Sequence, residues 1–156
     1  MSAVKICIID VDGTLTDGKI YVGNNGEIMK AFSVKDGYGV KLLQKHGIIP
    51  VIITGRKSDI IKLRAEELGI TDICQGYDNK ETALLEVCGK YNASFHEAAY
   101  IGDDMNDLEC MSVCEICGCP ADAAVQIKGV SDYVCAAKGG DGAVREFIEW
   151  LIRNKC

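Results

Sequence analysis

Short apolar segments that carry little polar alternation constrain this chain more than any other feature. Val4–Ile9, Ile48–Ile53, Asp72–Cys74, Ala98–Ile101, Glu115–Cys117 and Tyr133–Val134 read as strands. A strand with one wet face alternates apolar and polar residues, whereas one covered on both faces does not. Helical patterns fill the intervals at about 37–46, 58–68, 80–91, 104–112 and 141–153. The last is the clearest, with Val144, Phe147, Ile148 and Leu151 at i, i+3, i+4 and i+7. Strands and helices taken in turn predict an α/β protein, a mostly parallel sheet with helices on both sides. At 156 residues the chain fits one domain spanning 1–156.

One segment interrupts this alternation. Lys19–Val22 and Ile28–Ser33 are strand-like and flank Gly23-Asn24-Asn25-Gly26-Glu27, whose glycines and asparagines supply the positive φ angles of a tight hairpin. The hairpin, about 19–33, lies where an α/β unit would enter its first helix. It is an insertion beside whatever site the end of the first strand creates.

Ligands of open α/β sheets bind beyond the carboxyl ends of the strands. There the sequence collects Asp10, Asp12, Gly13 and Thr14, then Thr54, Gly55 and Arg56, then Gly102, Asp103, Asp104 and Asp107. Lys80 comes after the loop Gln75-Gly76-Tyr77-Asp78-Asn79. Taken singly, an Asp after a strand is ordinarily a turn former or helix cap, and a loop lysine says little. The ordered set is informative. Carboxylates without a histidine or thiol partner suit Mg²⁺, a hard cation bound through oxygen. A carboxylate such as Asp10 can attack phosphorus and form an aspartyl-phosphate. Asp12, two residues further along the strand, would project on the same side and serve as acid and then base. Thr54 and Lys80 would stabilise phosphoryl oxygens. Gly13 and Gly55 would let backbone amides approach them.

Asp10-Val11-Asp12-Gly13-Thr14, Thr54, Lys80 and Gly102-Asp103-Asp104-Met105-Asn106-Asp107 resemble the four motifs of haloacid-dehalogenase-superfamily phosphatases. The resemblance implies a three-layer α/β/α Rossmann-like fold with Asp10 as nucleophile and Asp12 as general acid/base. It implies Mg²⁺ on Asp10, the Asp12 carbonyl and Asp103, with Asp104 and Asp107 behind them, and phosphate on Thr54, Gly55 and Lys80. A narrower resemblance covers nearly the whole chain. It is carried by Asp12-Gly13-Thr14-Leu15-Thr16-Asp17-Gly18, Lys35-Asp36-Gly37-Tyr38-Gly39, Ile53-Thr54-Gly55-Arg56 and Gly139-Gly140-Asp141-Gly142-Ala143-Val144-Arg145-Glu146. These segments look like the 3-deoxy-D-manno-octulosonate 8-phosphate phosphatase family of lipopolysaccharide biosynthesis, with Thr14 where many of its members carry Val. That family lacks a cap domain and forms homotetramers in which neighbouring subunits close the site. Its substrates are keto-acid sugar phosphates, which assigns Arg56, Arg64 and Asp36 to the sugar and its carboxylate. Sister enzymes for nine-carbon keto acid 9-phosphates of the sialic-acid or KDN type share most of the pattern.

Composition closes off other classes. Lys plus Arg is 17 against 23 Asp plus Glu, a net charge of −6 that argues against nucleic acid as a partner. No stretch approaches the roughly 18 apolar residues of a membrane span, and the N-terminus lacks a signal-peptide pattern. The expected location is the cytoplasm, where thiols stay reduced. Nine cysteines include Cys110, Cys114, Cys117 and Cys119 within ten residues, a spacing open to metal or redox chemistry. Zinc knuckles come as two separated pairs, so buried packing of small apolar side chains is the expected role. A non-enzymatic phosphoacceptor of the receiver type also uses acids, a Thr and a Lys. Its acceptor, however, comes after a central strand and is not paired as Asp-x-Asp on the first. Finally, 156 residues leave no length for a lid, so closure of the site is expected from other copies of the chain.

Overall fold

The computed structural model describes residues 4–155. Among the described residues, eight strands and six α-helices succeed one another as β1 (Ile6–Ile9), β2 (Tyr21–Gly23), β3 (Gly26–Met29), α1 (Val34–Lys45), β4 (Ile49–Thr54), α2 (Asp59–Leu68), β5 (Asp72–Gln75), α3 (Lys80–Tyr91), β6 (Ala98–Ile101), α4 (Leu108–Val113), β7 (Ile116–Cys119), α5 (Val125–Val130), β8 (Tyr133–Val134) and α6 (Ala143–Lys155). Six strands form one sheet in the order β5-β4-β1-β6-β7-β8, and β2 pairs with β3 as a separate hairpin. Every pairing in the large sheet is parallel.

The unalternating strands have the cause expected for them. Ile6 and Ile8 face one apolar layer with Val51, Ile53, Leu84 and Ile127, while Cys7 and Ile9 face another with Val40, Leu43, Ile61, Phe147 and Ile148. Successive side chains of a strand point to opposite faces, so both sets must be apolar. The helices cover the two faces as α1, α2 and α6 on one side and α3, α4 and α5 on the other. The chain runs from β1 outward through β4 to β5, then crosses back to β6 and continues outward to β8. The β1–β6 border is therefore the switch point at which ligands of such sheets bind.

Helix α1 begins at Val34, three residues before the start that the pattern predicts, because the Ser33 hydroxyl accepts from the Lys35 amide and caps it. Gly37 and Gly39 hide the helix from a periodicity argument but serve its packing. A Cβ on Gly39 would lie 3.0 Å from the Arg145 backbone, and one on Gly37 would press on the Arg64 guanidinium. The expected helix at 104–112 divides into a 3₁₀ turn, Met105–Asp107, and then α4. Asp12 lies in an irregular turn, Val11–Leu15, that Gly13 bends with φ +93°, and not on a strand as its alternation with Asp10 suggests. The hairpin strands are shorter than expected, leaving Asn24-Asn25 as the turn. Helix α5 has no sequence signal.

Cys110, Cys117 and Cys119 are buried and Cys114 is half-buried. The Cys117 thiol donates to the Met111 carbonyl at 2.9 Å. Burial pushes the Cys110 thiol up to about 12. These protonated side chains pack against Ala83, Val87 and Ile127 as part of the core. No helix among the described residues is long and apolar enough to cross a membrane.

Candidate active site

Asp10 sits immediately beyond β1, anchored by its amide to the Ile101 carbonyl of the neighbouring β6. Its side chain is buried, with Oδ1 accepting from Lys80 Nζ at 2.6 Å and Oδ2 accepting from the Thr14 hydroxyl at 3.4 Å. That hydroxyl is also 3.3 Å from Asp103 Oδ1, so Thr14 bridges two carboxylates contributed by β1 and β6. Gly13 is required here twice over. Its φ is positive, and a Cβ would run into the Asp103 carboxylate.

Lys80 is the first residue of α3, whose start is fixed by Asn79 accepting from the Glu81 amide at 2.8 Å. Its ammonium, almost wholly buried, also donates to Asp107 Oδ1 at 2.7 Å. Asp107 is fully buried and saturated. Its Oδ1 also accepts from the Tyr100 hydroxyl at 2.6 Å, and Oδ2 accepts from the amides of Asp103 and Asp104 at 3.0 and 3.2 Å. A Cβ on Gly102 would collide with this carboxylate. Asp107 thus fixes the loop that carries Asp103 and fixes Lys80 at the same time. Asp104 caps the next turn by accepting from the Met105 amide.

Asp10, Asp12, Gly18, Thr54, Gly55, Arg56, Asp103, Asp104 and Asn106 line a cavity of about 270 Å³. A larger groove of about 680 Å³ runs beside it along α2 and β5. Size does not choose between them, because the cluster of carboxylates lies in the smaller one. Among the described residues, one group could hold a metal ion, the carboxylates of Asp10, Asp103 and Asp107, with one oxygen of each within 4.8 Å of the others. Two buried acids, Asp10 and Asp107, and the half-buried Asp103 face a single ammonium there. Burial and the Asp107 charge raise the Asp10 carboxyl well above its usual range, outweighing Lys80. Burial likewise lifts Asp103 to about 6, against hydrogen bonds with Asp10 and Thr14 that lower it. Lys80 is shifted up: burial opposes its charge, but Asp10 and Asp107 outweigh burial. A cluster that holds its acids this reluctantly ionised fits a further hard cation on oxygen donors. Since Asp107 has no oxygen to spare, Asp10 and Asp103 are the side chains that would hold it. The carboxylate of Asp12 is outside the group, leaving its carbonyl as the donor it could offer.

Most residues expected at the site are thus assembled around one cavity: Asp10, Asp12, Thr54, Gly55, Arg56, Asp103 and Asp104 line it, with Lys80 and Asp107 behind them. Two are not. Arg64 stacks over Phe32 and bonds Glu67 and the Ser33 carbonyl, in a depression between α1 and α2. Asp36 is buried, accepting from the Arg145 amide at 3.0 Å where α6 begins. Within one chain both therefore join α1 to its neighbours. Four further residues reach the site without a sequence signal. Tyr100 reads as core, yet its hydroxyl reaches Asp107. Lys30, just after β3, bonds Asp12 Oδ1 at 2.6 Å and Glu27 at 2.8 Å, while Glu27 accepts from Ser58 at 2.5 Å. No local pattern marks them. The only clue to them is the insertion of the hairpin beside the site.

Residues 65–148 match the model of the haloacid dehalogenase-like hydrolase family. The chain is 42% identical over 149 residues, 96% of its length and 79% of the relative's, to 3-deoxy-D-manno-octulosonate 8-phosphate phosphatase KdsC of Escherichia coli strain K12. The Yersinia pestis protein of the same name is 40% identical over 149 residues, covering 96% of this chain and 80% of that one. Among solved structures, the 3-deoxy-D-manno-octulosonate 8-phosphate phosphatase of Moraxella catarrhalis, in complex with magnesium ion, phosphate ion and KDO, superposes with a TM-score of 0.92 and 42% identity, covering 96% of this chain and 86% of that one. The cobalt-bound phosphatase of Haemophilus influenzae gives 0.93 and 37%, covering 97% and 88%.

Proposed function

We infer from one premise, that this chain belongs to the haloacid dehalogenase-like hydrolases and among them to the 3-deoxy-D-manno-octulosonate 8-phosphate phosphatases, that it hydrolyses that sugar phosphate to the free keto acid and phosphate. The observation that carries the reading is the buried Asp10 at the sheet's switch point, held between Lys80, Thr14 and Asp103 at the mouth of a small acidic cavity.

In this reading an oxygen of Asp10 attacks phosphorus and forms an aspartyl-phosphate, while the sugar oxygen leaves with a proton from Asp12. Asp12 then takes a proton from the water that hydrolyses the acyl phosphate. Lys80 and Thr54 stabilise the phosphoryl oxygens, and Lys80 keeps Asp10 oriented through its second bond to Asp107. Mg²⁺ on Asp10, Asp103 and the Asp12 carbonyl would neutralise phosphoryl charge. Arg56 lines the same cavity and presents a planar fork suited to the substrate carboxylate.

Arg56→Ala should raise KM for the octulosonate 8-phosphate by at least about tenfold while leaving KM for an aryl phosphate nearly unchanged, because a charged hydrogen bond contributes roughly 1.5–3 kcal/mol. An equal change for both would remove Arg56 from carboxylate recognition. The assembly is a homotetramer in this reading, supported by the apolar side chains that the hairpin and the start of α1 leave exposed, Val22, Ile28, Met29 and Val34. Light scattering should give the mass of four chains, and an active monomer would contradict a shared site. A cytoplasmic location agrees with the protonated, buried thiols.

The deciding experiment is a kcat/KM panel with Mg²⁺ across eight- and nine-carbon keto acid phosphates and simple hexose phosphates. Preference for the octulosonate 8-phosphate is the expected result. Preference for a nine-carbon 9-phosphate would transfer the assignment to the sister activity.

A further inference from the structure

Lys30 takes no direct part in phosphoryl transfer, yet it is among the most deeply buried cations of the molecule. Its side chain is 1% exposed and its ammonium lies between two carboxylates, Asp12 Oδ1 at 2.6 Å and Glu27 Oε1 at 2.8 Å. The other oxygen of Glu27 accepts from the Ser58 hydroxyl at 2.5 Å. Ser58 is in turn fixed by its amide, which donates to Gln75 Oε1 at 2.7 Å. A continuous chain of bonds thus runs from the end of β5, through the start of α2 and the hairpin, to Asp12. At its far end Asp12 Oδ2 is buried and has no hydrogen-bond partner. A buried carboxylate oxygen without a partner is costly, and such atoms are rare unless something else satisfies them.

We propose that Lys30, backed by Glu27 and Ser58, is a positioning residue that ties down Oδ1 of Asp12 and so reserves Oδ2 for proton exchange with the leaving group and the attacking water. The two oxygens then have separate duties. With Asp12 protonated, Oδ1 is the carbonyl oxygen accepting from the Lys30 ammonium, and the proton on Oδ2 passes to the departing sugar oxygen as the ester bond breaks. With Asp12 ionised, Oδ1 remains paired and Oδ2 takes a proton from the water that attacks the aspartyl-phosphate. Lys30 itself neither gains nor loses a proton. Without it, Asp12 can rotate about its side-chain bonds, and an acid displaced by an ångström loses much of its effect. The hairpin then contributes to catalysis as well as to assembly.

This inference rests on the assignment of Asp12 as acid and base, and its test separates the two. Release of the leaving group in a single turnover, which reads the phosphorylation step alone, is measured for a simple alkyl phosphate, whose alkoxide needs a proton, and for 2,4-dinitrophenyl phosphate, whose phenolate leaves without one. Neither carries a carboxylate, so a lost contact between Lys30 and a substrate acid could not mimic the effect. Lys30→Met should lower the rate of alcohol release from the alkyl ester by about 10–100-fold, within the range a positioned acid contributes. The dinitrophenyl ester should lose less than about threefold in its phosphorylation step. Lys30→Arg should recover most of the alkyl activity, and Ser58→Ala should show a weaker form of the same split, with no need for the Met variant to fold well. Equal losses for both esters, or none for either, would overturn the positioning role. Failure of Asp12→Asn in the parent protein to produce the split would instead remove the acid/base assignment itself.

Discussion

Asp10→Asn should abolish Mg²⁺-dependent phosphate release, by on the order of 10⁴-fold or more, while the protein stays folded. The amide is nearly isosteric but a poor nucleophile, and removal of a nucleophile eliminates the covalent route and not merely one stabilising contact. Stability should not fall with activity. Asp10 is a buried acid whose carboxyl is already raised by burial and by Asp107, so replacing it with a neutral group removes an unfavourable charge as well as the Lys80 bond. The measurements are a phosphate-release assay beside thermal unfolding. In the parent enzyme, a denaturing quench during turnover should trap acid-stable phosphate on the chain, and in the variant it should not. Turnover retained within tenfold would eliminate Asp10 as nucleophile.

Lys80→Met should damage stability and activity together. The substitution keeps the length of the side chain but leaves Asp10, Asp103 and Asp107 facing one another with no ammonium between them. Removing one partner of a buried ion pair costs about 3–5 kcal/mol. For a chain of this size that amounts to a fall in Tm of roughly 10 °C. Activity should fall by on the order of 10³-fold, as expected when a preorganised donor to a charged transition state is lost. Two further readouts identify the cause. Added Mg²⁺ should restore part of the lost Tm, since it returns positive charge to Asp10 and Asp103, without restoring activity. The stability deficit should also shrink as pH falls through about 6. Asp103 is already lifted to about 6 with the ammonium in place, and losing the ammonium raises the acids of the cluster further, so the folded variant binds protons that the parent does not and gains more stability on acidification. An unchanged Tm at neutral pH would mean that Lys80 does not neutralise the cluster.

The legible part of this protein is its strands and the residues at their carboxyl ends. The segments Ala98–Ile101 and Tyr133–Val134 are legible to the residue, and the others to within a few; for the central strands the reason is that a strand covered on both faces must be apolar throughout. Asp10, Thr54 and Asp103 are legible for the same reason. In a parallel sheet, the residue after each strand necessarily arrives at one common edge. Lys80 is readable from its place after a loop and as the ammonium among the acids of the set. The glycines of α1 obscure where that helix begins. Their value lies in contacts with Arg64 and α6, from distant parts of the sequence.

The amino-acid sequence by itself determined the sheet, its direction, and a shared edge rich in carboxylates. These are consequences of periodicity and chain order, properties of neighbours in sequence. The tertiary structure alone decided which partner each acid has. It set Tyr100 and Lys80 on one oxygen of Asp107, sent Arg64 and Asp36 to the packing of α1, and brought Lys30 over the hairpin onto Asp12. Those choices depend on ångström-scale distances between residues 7 to 109 positions apart. A buried charge is stable only where a specific partner meets it, and chain order alone does not bring that partner within reach.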